Sequence, residues 1–252
     1  MLLKLLPQML VDGLQLGFVY AIVALGYTMV YGVLHFINFA NAEIFMCGAF
    51  IGAEVLIALL GAAAGGGWTV FAFAVALLAA LVLTGLLGVF IERVAYRPLR
   101  NAPRISILIS AIGVSYFLQN LATVLFGGRP LTFPQIPLFT DVLVIGDVYF
   151  QRLSLIVPVI AAALLFLLLL LIKHTKTGLA MRAVSRDYDA ASLMGIDLNR
   201  TIAITFFIGS ALAGVGAIMW GMKYTRISPT IGAMPGIKAF VAAVFGLSLI
   251  HI

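Results

Sequence analysis

Charge is what this chain lacks most. Of its 252 residues only 10% are Asp, Glu, Lys or Arg, while 63% are apolar; soluble domains carry about 25% charged residues. That excludes an ordinary water-soluble globule. Acidic residues are the scarcer sign, nine against 15 Lys and Arg. The single cysteine, Cys47, excludes an internal disulfide and, set among apolar residues, reads as a small buried side chain. The three histidines, His35, His174 and His251, share no ligand spacing, so neither a metal site nor a metalloenzyme is expected. No G-x-x-x-x-G-K-[ST] run occurs, so any nucleotide must be handled by another polypeptide, and no cofactor is expected to bind directly. The first residues, one Lys and Pro7 followed by Asp12 and Gly13, make a poor cleavable signal, so the first apolar segment is expected to stay.

What the chain has instead is long apolar runs. Runs of 18 or more such residues can each cross a hydrocarbon core as helix. Stretches such as 153–172 do not alternate as barrel strands must. The expected fold is all-α: one transmembrane domain over 1–252, a polytopic helical bundle of about six to eight membrane segments. The net charge of +6 does not point to nucleic acid, because of where the charges sit. Four Lys and Arg lie in 93–104 and five in 173–200, which is the cytoplasmic signature of the positive-inside rule.

The first segment, about 9–33, carries Gly13, Gly17, Ala21, Ala24 and Gly26, small residues that suit close helix packing in lipid. Residues 35–52, HFINFANAEIFMCGAFIG, then place Asn38, Asn41 and Glu43 within membrane-grade sequence. Two readings stand. The asparagines cap a helix at the interface with Glu43 on its positive end, or a broken or re-entrant helix near 36–60 lines a substrate path and turns free N–H groups towards a polar solute. A helical stretch over 53–60, a glycine turn at 61–67 and Trp68 as an interfacial anchor follow. The span 70–91 ends in ERVAYRPLRNAPR, whose Pro98 and Pro103 fit a loop on the inside. The next span, 105–126, brings Ser110, Ser115, Gln119 and Asn120 into the membrane. Residues 127–152 balance two Arg against Asp141 and Asp147, with a hairpin expected over 141–149, and belong outside. Span 153–172, with Pro158 as a place to kink, returns the chain to the inside. Counting spans puts the N-terminus outside if 36–60 cross once and inside if they re-enter.

Residues 173–200, KHTKTGLAMRAVSRDYDAASLMGIDLNR, form the long polar segment that also reads as an amphipathic helix. Ala180, Val184, Tyr188, Ala191 and Gly195 recur at three- and four-residue steps, with Arg182, Arg186 and Asp189 opposite. The spacing predicts one helix of about 15 to 17 residues stopped at Gly195. Lying on headgroups is the plain role for such a helix.

Asp189, Ala190, Ala191, three residues and Gly195 resemble the acidic-Ala-Ala spacing of the coupling loop in permease subunits of ABC importers. Further stretches extend the likeness over nearly the whole chain: GFVYAIVALGYTMVYGVLHFINFANAE, IERVAYRPLRNAPR, ISAIGVSYFLQN, TKTGLAMRAVSRDYDAASLMGI, ITFFIGSALAGVGAI and PGIKAFVAAVFG. They resemble the LivH-type permease family of high-affinity branched-chain amino acid ABC transporters. The resemblance implies a bacterial cytoplasmic (inner) membrane protein that imports hydrophobic amino acids. It implies a second, related permease subunit of the LivM kind, two cytoplasmic ATP-binding subunits that use the ATP, and an extracytoplasmic substrate-binding protein. It makes 173–200 a cytoplasmic coupling loop, with Arg182, Arg186, Asp189, Ala190, Ala191 and Gly195 facing the ATPase. Its two alanines would keep the helix flat in a groove. Asn38, Asn41 and Glu43, with Gln119 and Asn120, are the candidate substrate pathway. The chain departs from the family in carrying Asn41 and Ala42 where His-Gly is usual, Asp189 for a glutamate, and an atypical tail after about residue 246. A urea or short-amide importer is the nearest alternative. An ion-coupled carrier acting alone would need more intramembrane charge than Glu43 and Glu54.

Overall fold

The computed structural model describes residues 2–36, 38–61, 66–100, 102–136, 139, 141–145 and 148–249. Most of the glycine turn at 61–67, Pro137, Asp147 and the last three residues of the tail lie outside these. Among the described residues six helices are long and apolar enough to cross a membrane. They are α1 (Leu2–Leu34), α2 (Asn41–Leu60), α3 (Gly66–Ile91), α4 (Arg104–Phe126), α5 (Arg152–His174) and, after two short helices, α8 (Leu198–Lys223). The short pair is α6 (Lys176–Arg186) and α7 (Tyr188–Leu193), and the apolar α9 (Ala233–Leu249) follows α8. Helices satisfy their own backbone groups, which is why this composition folds so in lipid.

The bundle is built around α8, against which α1, α2 and α3 all pack. Its buried side chains include Ser210, Ala211, Ala213 and Ala217, small enough to let other backbones come close. At the crossing with α1 two main chains come close. A Cβ on Gly26 would stand 2.5 Å from the Gly209 carbonyl oxygen, and one on Gly209 would stand 2.9 Å from that of Gly26. Any side chain at either position would hold these two backbones apart.

Both basic stretches lie at one end. After α3 the winding does not stop at the loop expected from Pro98 and Pro103. It loosens into a π-turn, Glu92–Tyr96, and then tightens into a 3₁₀ turn, Arg97–Leu99. Pro98 is tolerated there because the first turn of a helix needs no N–H from it. Arg100 then ion-pairs with buried Glu92 and donates to Asn199 Oδ1 at 2.7 Å, joining this stretch to the start of α8. At the opposite end Lys223 Nζ donates to Asp12 Oδ1 at 2.5 Å and to Gln15 Oε1 at 2.7 Å, and Ser154 Oγ donates to Gln15 Oε1 at 2.8 Å. The head of α1 therefore sits at the end away from the basic loops.

Strands β1 (Leu131–Thr132) and β4 (Arg226–Ile227) pair antiparallel at that opposite end, with Leu131 against Ile227. They seat the buried ring of Phe133 over α2 and α8. Strands β2 (Val142–Ile145) and β3 (Val148–Gln151) form the expected hairpin, running on to Gln151, with its turn outside the described residues.

Candidate functional site

Two places concentrate the polar residues. The first is where α1 hands over to α2. The helix stops at Leu34, His35 takes a positive φ of 54°, and winding resumes only at Asn41. Gly26 of α1 abuts Gly209, and Gly48 of α2 abuts Gly214. At 1.5 Å per residue, α2 thus begins roughly 9 Å deeper along α8 than α1 ends. The break expected near 36–60 therefore lies before α2, which is one continuous helix from Asn41 to Leu60 that runs away from the basic end without turning back, ending where Trp68 Nε1 donates to Leu59 O at 2.8 Å.

Asn38 holds this break in shape. Its Oδ1 accepts from the Ala40 N–H at 3.1 Å and from the Tyr96 hydroxyl at 2.7 Å. It does not cap the helix, since Ala40 occupies the capping position without a side-chain bond. The first N–H groups of α2 are not free for a solute either. Those of Asn41, Ala42 and Glu43 turn back to the carbonyls of Asn38, Phe39 and Ala40, because the turn before the helix supplies acceptors at the right spacing.

Glu43, one turn on, borders a cavity of about 360 Å³ with Tyr27 of α1, Ser115 and Gln119 of α4, and Ile237 and Phe240 of α9. Glu43 is 4% exposed; Ser115 Oγ donates to its Oε1 at 3.3 Å and Oε2 has no partner among the described residues. Of the five expected pathway residues the structure brings two to this cavity, Glu43 and Gln119. Asn38 belongs to the turn. Asn41 is buried beside it, with neither amide atom bonded. Asn120 is exposed and donates to Tyr116 O at 2.7 Å, because it lies a hundred degrees around α4 from Gln119. Tyr27, Tyr116 and the α9 residues were not foreseen as lining. For Tyr27 the sequence offered no separate signal, since Tyr20 and Tyr31 share its span. Glu54, the other intramembrane acid, is exposed on α2.

The second place is α6 and α7. One continuous helix was expected over 178–194, but the chain breaks at Asp187, which adopts an extended φ of −156°. Its carboxylate accepts from the N–H groups of Asp189 at 2.9 Å and Ala190 at 3.0 Å and so starts a second helix. Gly195 does end that helix, with φ +82°. The buried faces are Gly178, Met181 and Val184 on α6 and Ala191 on α7. The Tyr188 hydroxyl donates to Val33 O at 2.8 Å, tying the pair to the foot of α1. Burial holds this phenol above its ordinary pKa, against the pull of the Arg100 charge, so it remains a donor. Arg182, Arg186, Asp189 and Ala190 are exposed, whereas Ala191 faces the bundle, so only one of the two alanines is offered outwards. Beside them Leu193 and Met194 are 88% and 85% exposed, an apolar tip standing in the open.

A family model described as the permease component of a branched-chain amino acid transport system matches residues 9–251. The high-affinity branched-chain amino acid transport system permease protein LivH of Escherichia coli K12 is 39% identical over 244 residues, covering 95% of this chain and 78% of that protein. The corresponding permease protein BraD of Pseudomonas aeruginosa is 42% identical over 246 residues, with the same coverage of each. A xylose/arabinose import permease protein, XylH of Sulfolobus acidocaldarius, is 30% identical over 169 residues, 64% of this chain and 41% of that protein. No solved structure matches the chain.

Proposed function

The chain belongs to the permease-component family of branched-chain amino acid transport systems, and on that footing we propose that it is the membrane-spanning subunit of an ABC importer for branched-chain and other hydrophobic amino acids. The observation that carries this reading is the extent of the likeness, 95% of the chain at 42% identity to one such permease. In this reading the chain sits in a bacterial cytoplasmic membrane with its basic end inside. It pairs with a second, related permease, receives solute from an extracytoplasmic binding protein, and is driven by two ATP-binding subunits. It binds no cofactor of its own.

The Glu43 cavity suits such a solute. A buried carboxylate with one free oxygen calls for a cation, and in low dielectric a substrate ammonium is a strong partner. Ile112, Ile237 and Phe240 offer an apolar wall to an aliphatic side chain, while the Tyr27 and Gln119 side chains are available to its carboxylate. Urea and simple amides bring no positive charge to neutralise Glu43, which favours an amino acid. At the basic end α6 and α7 carry motion from the ATPase: the exposed Leu193 and Met194 enter its groove, and Tyr188 passes the displacement to α1.

The test is leucine uptake into proteoliposomes holding the assembled importer. Uptake should need ATP and the partner subunits; accumulation by this chain alone would sink the reading. Glu43→Gln should weaken apparent leucine affinity by about tenfold or more, as expected when one member of a buried charge pair is neutralised. Unchanged affinity removes Glu43 from the path. Gly195→Val puts a β-branched residue at positive φ, and should leave ATP hydrolysis running while uptake falls. Intact uptake by that variant removes the coupling role.

A further inference from the structure

We propose that the crevice between α3 and α8 at the basic end is a binding site for an anionic phospholipid, with its phosphate held by Arg93, Arg97 and Arg200. The crevice encloses about 580 Å³ and is lined in two layers. Towards the middle of the bundle its walls are apolar: Val89 of α3, and Ile204 and Phe207 of α8. At its rim stand the three guanidinium groups, Arg93 one turn beyond Val89 and Arg200 one turn before Ile204. None of the three has an ion-pair partner among the described residues.

Two carboxylates share the crevice, and both are engaged. Glu92 is paired with Arg100. Asp197 Oδ1 accepts from the backbone N–H of Arg200 at 3.1 Å, capping α8. With Glu92 paired to Arg100, the three arginines outweigh the one charge of Asp197, and the rim keeps a net positive charge. Guanidinium groups hold phosphate oxygens through paired N–H bonds, which an ammonium cannot match in geometry. The rim lies where the spans meet the interface, the level of a headgroup. The walls lie at the level of the first acyl carbons, and the exposed Leu86 and Phe90 continue the apolar surface along α3. A soluble phosphate would use the rim and leave the walls idle; a phospholipid uses both layers. Bound there, it would fasten the turn after α3 to the head of α8, next to the Arg100 to Asn199 contact. The site owes nothing to the transport reading, since it lies at the basic end, away from the Glu43 cavity.

The experiment is native mass spectrometry of the full chain, purified with the subunits it retains and stripped of lipid. Phosphatidylglycerol, phosphatidylcholine or inorganic phosphate is then added. Phosphatidylglycerol should stay bound while phosphatidylcholine is lost. The Arg93→Gln/Arg97→Gln/Arg200→Gln variant should hold phosphatidylglycerol about tenfold or more weakly, and the matching triple Lys variant, which keeps the charge but not the paired N–H geometry, should fall between it and the unchanged chain. If the triple Gln variant does not purify, Arg200→Gln alone should show about a fivefold loss. Equal retention of the two lipids, undiminished binding by the Gln variants, or displacement of phosphatidylglycerol by inorganic phosphate would overturn the assignment.

Discussion

Helices α8 and α5 are both membrane spans, yet they live in different solvents. Of the apolar window of α8, 78% is buried inside the bundle, against 17% for α5, although α5 is the more hydrophobic of the two. In water that order would be reversed. In lipid, apolar side chains gain nothing by leaving hydrocarbon for protein, so burial goes to the helix that packs most closely. Helix α8 carries Gly209, Ser210, Ala213, Gly214 and Ala217 along its buried length; α5 carries a run of leucines, of which Leu165, Leu167, Leu169 and Leu170 are exposed. Size selects the centre, and apolarity only admits a helix to the membrane.

The sharpest way to break that contrast is to enlarge the centre. Gly209→Leu keeps α8 apolar and improves its helix propensity, yet its side chain must push into the Gly26 backbone 2.9 Å away. Overpacking costs ~1–3 kcal/mol in cores whose neighbours can yield, and here the neighbour is main chain. The variant should therefore lose ~3 kcal/mol or more, read as a lowered melting temperature in detergent and poor accumulation in the membrane. Near-normal melting would mean that α1 and α8 separate easily, and that small size is not what places α8 at the centre.

The next effect tests whether polar bonds also fix the centre. Lys223, at the end of α8, reaches back across 211 positions to Asp12 and, at 2.7 Å, to Gln15, which also accepts from Ser154 of α5. The Lys223 side chain is 15% exposed but Asp12 is 43% exposed, so water screens part of the attraction. Lys223→Met should cost ~1–2 kcal/mol in thermal unfolding, and adding Asp12→Asn should cost little more, because the pair is already broken. Fully additive losses would show that the two residues do not act together.

These contacts also mark what was legible in the chain beforehand. The spans were, because only helix satisfies a backbone in lipid and runs such as 153–172 leave no other choice. The shared end of the two basic stretches was, because charge is costly to move across a membrane. Asn38, Asn41 and Glu43 marked the start of α2 as unusual but left open whether the helix was capped or broken there. Which of those polar groups meets the cavity was not legible, since that depends on α4 and α9 arriving from far along the chain, and a neighbour such as Asn120 is turned aside by helix geometry alone. The break at Asp187 was hidden by the spacing of Val184, Tyr188 and Ala191, which continues across it. The local signal was there, in an aspartate placed just before a residue able to start a helix.

The smallest effect belongs to the outer helix. Leu167 of α5 is 59% exposed in the isolated chain, and if lipid covers it Leu167→Ala exchanges one lipid-solvated side chain for a smaller one. The change in melting temperature should then stay within the scatter of an ordinary surface substitution, ~0.5 kcal/mol or less. The same measurement can be made on the assembled importer, where a second permease and two ATPases surround the chain in the reading proposed above. Should the loss rise to ~2 kcal/mol in the complex alone, the value expected when a leucine is removed from a packed contact, that face of α5 is covered by a partner and not by lipid. Exposure in one subunit would then mark an assembly surface, and the contrast between α8 and α5 would become one between two kinds of protein contact, one within the chain and one between chains.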